Sequence, residues 1–258
     1  MEFPKFPRVR YLKNPLEEVI CQLRFPKILR IEATLPVDFQ DAIRSEYPIY
    51  NTSQSVEFVT NPQINISPAM IGRGRAYEFV DEKKEWKLVL SSDFIALSSS
   101  KYERWEDFRN RLSKAVDLLI KHYEPSHFSR LGLRYQDLIM RSDFGLNGCQ
   151  WNSLIQPYLL GYLSEDLVSE EDVFEFISVF SCHLNDEDEN LRVRYGFAKK
   201  DDSDELGYLI DADFYNQKII EVNNAITALD RFNREAGNFF RWCITEQLHG
   251  ALEPQPIE

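Results

Sequence analysis

Cysteine is scarce in this chain, and the few present stand far apart. Cys21, Cys149, Cys182 and Cys243 form no Cys-x-x-Cys pair, which removes the common zinc and dithiol signatures. A chain of 258 residues buries enough core to need no disulfide staples. The four are read as reduced thiols, mostly buried. His122, His127, His183 and His249 lack metal-ligand spacing such as His-Glu-x-x-His. Gly-x-Ser-x-Gly, Gly-x-Gly-x-x-Gly and kinase blocks are absent. No cofactor and no metal is expected. Gly (10) and Pro (12) are few and scattered, which argues against long disordered or fibrous segments. No segment reaches the ~18 apolar residues that cross a bilayer. Residues 1–8 lack the apolar run of a signal peptide. A cytoplasmic soluble protein with no membrane partner is the expectation. Positive charge is also short: the formal net charge is -12, so nucleic acid, bound through Lys and Arg on phosphates, is a disfavoured partner.

What is present is core-forming material, 43% hydrophobic and 13% aromatic. The organising stretch is Glu18–Phe25. Val19, Cys21, Leu23 and Phe25 alternate with Ile20, Gln22 and Arg24, the two-residue period of a half-buried strand. A short helix over Asp38–Arg44, capped by Asp38, follows. Strands are expected over Ser55–Val59, Arg75–Val80 and Trp86–Ser92, the last extending towards Leu97. Asn61-Pro62, Gly72-Arg73-Gly74 and Asp81–Lys84 read as the turns between elements. Trp105, Phe108, Leu112, Ala115, Val116, Leu119, Ile120 and Tyr123 form one stripe at helical spacing.

The second part of the chain repeats this order. An echo strand, Phe128–Ile139, carries Leu131-Gly132-Leu133-Arg134-Tyr135. A helical piece lies around Trp151–Leu163. Strands over Val173–Leu184, Leu191–Ala198 and Leu206–Tyr215 are joined by the acidic turns Asn185–Asn190 and Asp201–Glu205, which reads as an antiparallel meander. Ala225, Leu229, Phe232, Ala236, Phe239, Phe240 and Cys243 mark a closing helix, and the tail is expected to fray. An offset of 120 brings Leu88–Phe94 onto Tyr208–Phe214, and Val116, Leu119, Ile120 and Tyr123 onto Ala236, Phe239, Phe240 and Cys243. An offset of 110 brings Gln22–Phe25 onto Gly132–Tyr135. The fold class read from this is α+β, two related halves, each an antiparallel sheet covered by a long amphipathic helix. The division is an extended segment 1–14, a first half 15–125, a second half 126–250 and a tail 251–258. The plainer account is that core patterning makes any strand-then-helix unit look alike.

Three separated blocks, Pro15–Phe25, Gly132–Tyr135 and Arg231–Thr245, also support a resemblance. In this order they are similar to those of an uncharacterised, sporadically distributed family of bacterial proteins of similar length. The match covers nearly the whole chain. It departs at Asn14-Pro15, where the family has Pro-Pro, and at Gln136-Asp137, where it has Ile-Asn. The resemblance brings no activity. The family's patchy distribution implies mobile or defence-associated gene neighbourhoods.

Arg24 and Arg134 are the candidate ligand contacts. Two guanidinium forks in a cleft between halves would suit a phosphate or carboxylate. The plainer role is that each pairs with an acidic neighbour, as buried charges normally do. Glu85-Trp86-Lys87 has the Glu-x-Lys spacing of a metal-dependent nuclease, with Glu78 or Asp81 as the second acid. Alternating charge on an exposed strand is the commoner meaning. Gly72–Arg75 lacks the Walker ending, and neither acidic turn has the EF-hand pattern. Cys182 and His183 point to opposite strand faces. The reading is a non-enzymatic interaction or regulatory protein, with a protein partner or a second copy of itself. The alternative is a phosphate, nucleotide or nucleic-acid binding module or enzyme using Arg24 and Arg134.

Overall fold

A computed structural model describes residues 1–57, 71–165, 168–184, 188–200 and 203–257. The order is β1 (Val9–Tyr11), β2 (Leu16–Arg24), α1 (Leu29–Ala33), α2 (Val37–Ile43), β3 (Ile49–Glu57), β4 (Ile71–Val80), β5 (Trp86–Ser91), β6 (Phe94–Ser99) and α3 (Trp105–Tyr123). Then come β7 (Arg130–Ile139), α4 (Pro157–Leu160), β8 (Ile177–Leu184), β9 (Glu189–Ala198), β10 (Gly207–Asn216), α5 (Ala225–Cys243), α6 (Glu246–Ala251) and β11 (Pro254–Pro256). Short 3-10 turns fill the connection around α4. The fold is mixed α and β with one large antiparallel sheet of nine strands, in the order β3-β4-β5-β6-β2-β7-β10-β9-β8. Helix stops are local: Glu124 takes a left-handed conformation at the end of α3, a common helix ending. No helix among the described residues is long and apolar enough to cross a membrane.

The chain divides into two compact units. One comprises residues 1–19, 134–215 and 230–258, the other residues 20–133 and 216–229. β2 and β7 contribute residues to both. Backbone bonds tie the two strands at each end: Ser129 N donates to the Arg24 carbonyl at 2.7 Å, and Leu138 N to the Pro15 carbonyl at 2.9 Å. Residues 19–23 of β2 and all ten residues of β7 are buried. The expected half-buried strand is therefore buried on both faces. Alternation in sequence misleads here because one of its two faces carries polar side chains that are also buried.

In the unit holding α3, Phe108 packs at a tilt against Trp86 of β5, with ring centres 5.7 Å apart. Phe39 of α2 meets Phe79 of β4 at 5.8 Å. Asp81 braces the β4–β5 turn by accepting backbone bonds from Glu85 and Trp86 at 2.8 and 2.9 Å. The single strand expected from Trp86 towards Leu97 is two strands. Ser92-Asp93 turns the chain so that Leu88 faces Leu97 and Leu90 faces Ile95. Gly72–Gly74 is not a turn but part of β4, opposite Ser55 and Val56 of β3. The expected Asn61-Pro62 turn lies outside the described residues.

In the unit holding α5, Phe239 packs on Phe214 of β10 and on Phe3, with ring centres 6.1 and 5.1 Å apart. Trp151 and Tyr208 form a second cluster with Phe197. The Tyr208 hydroxyl donates to the Leu159 carbonyl at 2.5 Å. The tail 251–258, expected to fray, holds β11, which pairs Pro254–Pro256 with Tyr11–Val9. α6 is capped by Thr245, whose hydroxyl accepts from Leu248 N, a signal present in the sequence. Asp38 does not cap α2; Pro36 occupies that position.

The offset of 120 carries α3 onto α5 end to end. The same offset carries β5 onto β10, and these hold different places. β10 lies next to β7, whereas β6 separates β5 from β2. Period-two alternation is common to all strands of a meander and cannot say which strand is which.

Gly196 of β9 sits at φ +141, and an added Cβ would lie 2.0 Å from the Phe176 carbonyl oxygen. Gly196→Ala is predicted to cost at least ~2 kcal/mol through backbone strain and displacement of the β8–β9 ladder. Urea unfolding of wild type and variant measures it.

Candidate functional site

The polar face of the α5-bearing unit is built on three neighbouring strands. Arg134 and Gln136 share one face of β7, and Asp211 and Asp213 one face of β10. Both residues of each pair are buried. Arg134 grips Asp211 with two parallel bonds, Nε to Oδ1 and Nη2 to Oδ2, each 2.6 Å. This is the fork geometry in which Arg and carboxylate match best. Burial works against the Arg134 charge, but the bond to Asp211 and the charges of Asp211, Asp213 and Glu18 hold its proton more firmly than usual. Both Asp211 oxygens are thus engaged.

A second arginine, Arg194 of β9, stands opposite Val179 of β8. It is only 8% exposed. Burial lowers its pKa, the Asp211 charge opposes that, and the Arg134 charge adds to it. Its Nη1 has no hydrogen-bond partner among the described residues.

The opposite face of β7 carries Asp137, also buried. Its carboxyl is pushed up to about 8, first by burial and then by the charges of Asp211 and Glu17. Asp137 in turn raises the buried Cys243 thiol, whose main cause is burial itself. Nearby on this unit, the Tyr11 hydroxyl bonds His249 Nδ1 at 2.8 Å.

Of the two arginines read from the sequence, Arg134 belongs to this cluster. Arg24 is half-buried at the end of β2 and belongs to the other unit. Asp81 spends its carboxylate on the turn, and Glu78 accepts from the Ser53 hydroxyl at 3.0 Å. Among the described residues no group of three or more His, Cys, Asp or Glu side chains is placed to hold a metal ion. His183 Nδ1 lies 2.7 Å from Asn190 Oδ1, not on Cys182. Asp211, Asp213 and Arg194 were not singled out in the sequence. Their signal is Asp-Ala-Asp inside an apolar strand, and Arg at every second position of the neighbouring one.

No protein-family model matches the chain, and no curated protein matches it.

Two outcomes follow from this geometry. Asp211→Ala leaves Arg134 charged and buried, and is predicted to cost about 3–5 kcal/mol. The double replacement Arg134→Met, Asp211→Leu recovers most of the loss, which a double-mutant cycle by chemical unfolding reads. For Asp137, the folded chain holds a proton that the unfolded chain has lost above ~4. Its contribution is therefore full below that pH and falls by about 1.4 kcal/mol per unit as pH rises towards about 8. Asp137→Asn removes this slope and gains up to ~4 kcal/mol at neutral pH, seen as a flatter profile of unfolding midpoint against pH.

Proposed function

We propose that this chain is a non-catalytic interaction protein that pairs an extended segment of a partner protein along β8. The observation that carries the reading is the state of that strand. β8 is the last strand in the sheet order among the described residues. Ile177, Val179 and Phe180 are 38%, 54% and 43% exposed, and Phe174 just before it is 98% exposed. Edge strands are ordinarily blunted with Lys, Pro or a bulge. Ile-Ser-Val-Phe-Ser-Cys-His-Leu has no Lys and no Pro, and no register shift marks its ladder with β9.

The backbone is aimed for pairing. Phe197 N donates to the Phe176 carbonyl at 2.7 Å, so Phe176 and every second residue after it face β9. Ile177, Val179, Ser181 and His183 alternate outward. The His183 carbonyl already accepts the N-terminal ammonium of Met1 at 2.8 Å. The stretch left to a partner is Ile177–Ser181. Glu171, Asp172 and Glu175 are exposed just before it, and Asp188 just after. Antiparallel self-pairing would set these acids against each other. A partner segment rich in Val, Ile, Lys and Arg fits both the strand and its charge.

A relation between the two halves supports the same reading. Each long helix, α3 or α5, would then cover the sheet of its own half. Sheet order runs outward from β2 as β6-β5-β4-β3 and from β7 as β10-β9-β8. If the halves correspond by place in the sheet and not by the offset of 120, β8 takes the place of β4, and a partner strand would take that of β3. The family resemblance makes an accessory role in a bacterial defence or toxin-like system the context to examine first.

Co-expression with the products of neighbouring genes, wild type beside Val179→Lys, tests the proposal. A complex that weakens at least ~tenfold in the variant and with rising salt is expected. A complex that Val179→Lys leaves intact, or a monomer that binds none of these products, overturns it.

A further inference from the structure

Not every buried charge of the α5-bearing unit is hydrogen-bonded among the described residues. The charge of Asp211 acts on two guanidinium groups, and both its oxygens are occupied by Arg134. Arg194 feels the charge of that same carboxylate, and Arg134 as a repelling one. Asp213 and Glu18 act on Arg134 and not on Arg194. Arg194 is therefore a second buried cation beside a carboxylate already used. Its side chain is more than nine-tenths buried, and its Nη1 has no partner among the described residues. A guanidinium in that position is costly unless an anion meets it.

We infer that Arg194 is the receptor for a small oxyanion, a carboxylate or phosphate group, held against β9 beside the Arg134–Asp211 pair. The fork of Arg194 supplies the donors that such a group takes two at a time. Arg134 contributes positive potential but no free fork, because Asp211 holds it. The ligand's anionic group meets the guanidinium that Asp211, held by Arg134, leaves unbonded. This site is independent of partner pairing along β8.

The test uses the full chain, with inorganic phosphate and acetate as separate probes against chloride at matched ionic strength. Calorimetric titration and thermal unfolding give the readouts, for wild type, Arg194→Met and Arg194→Gln. One anion bound per wild-type chain, a rise in unfolding midpoint with that anion, and at least tenfold weaker binding in both variants are expected. In chloride alone, neither variant melts below wild type, because each removes an uncompensated buried charge. Preference for phosphate assigns a phosphate-bearing ligand, and preference for acetate a carboxylate. Equal binding by wild type and variants, or binding by none, overturns the inference. So does a loss of stability in chloride in both variants, which would make Arg194 a structural residue.

Discussion

The ion pair between Arg134 and Asp211 is the constraint on which the polar face of the sheet depends. Both side chains are nearly free of solvent, and each satisfies the other through two short bonds. A charge in that setting is stable only with its partner. The pair therefore fixes how β7 lies against β10, because a one-residue slip would turn Arg134 to the opposite face. The charges of Asp213 and Glu18 act on Arg134, and those of Asp211 and Arg134 on Arg194.

The two faces of β7 use burial in opposite ways. Towards Asp211, burial is offset by a fitted counter-charge, and the groups stay ionised. Towards Cys243, Asp137 has no such counter-charge among the described residues, and its carboxyl rises to about 8. A carboxyl held neutral offers a donor and an acceptor. The strand thus joins a charged layer and a neutral layer one residue apart, as the pleat requires.

The edge at β8 follows a different physics. It carries no Lys, no Pro and no register shift, the devices that keep strands from pairing. Val179 lies in register with Arg194, so the open edge and the uncompensated cation occupy adjacent strands. Neither depends on catalytic geometry. In the proposed roles, the backbone ladder of β8 would pair with a strand and the Arg194 guanidinium would meet an anion.

Much of the secondary structure was legible because periodicity is local. The stripes of α3 and α5, the meander of β8 to β10 and the alternation of β2 follow from spacing alone. Where turns were misplaced, the competing signal was tertiary. Gly72–Gly74 looks like a turn until β3 pairs with it, and Ser92-Asp93 looks like strand until β6 folds back. Arg134 was visible as a strand arginine, but its role was not, since Asp211 lies 77 residues away in sequence. Sequence by itself determined the α+β class, the acidic surface and the two long helices, because propensity and period act within a few residues. Only the tertiary structure decided that Arg134 is neutralised, that Arg194 is not, and that β8 stands at the edge. Those depend on which strands become neighbours, and strand order is a long-range property that no local pattern encodes.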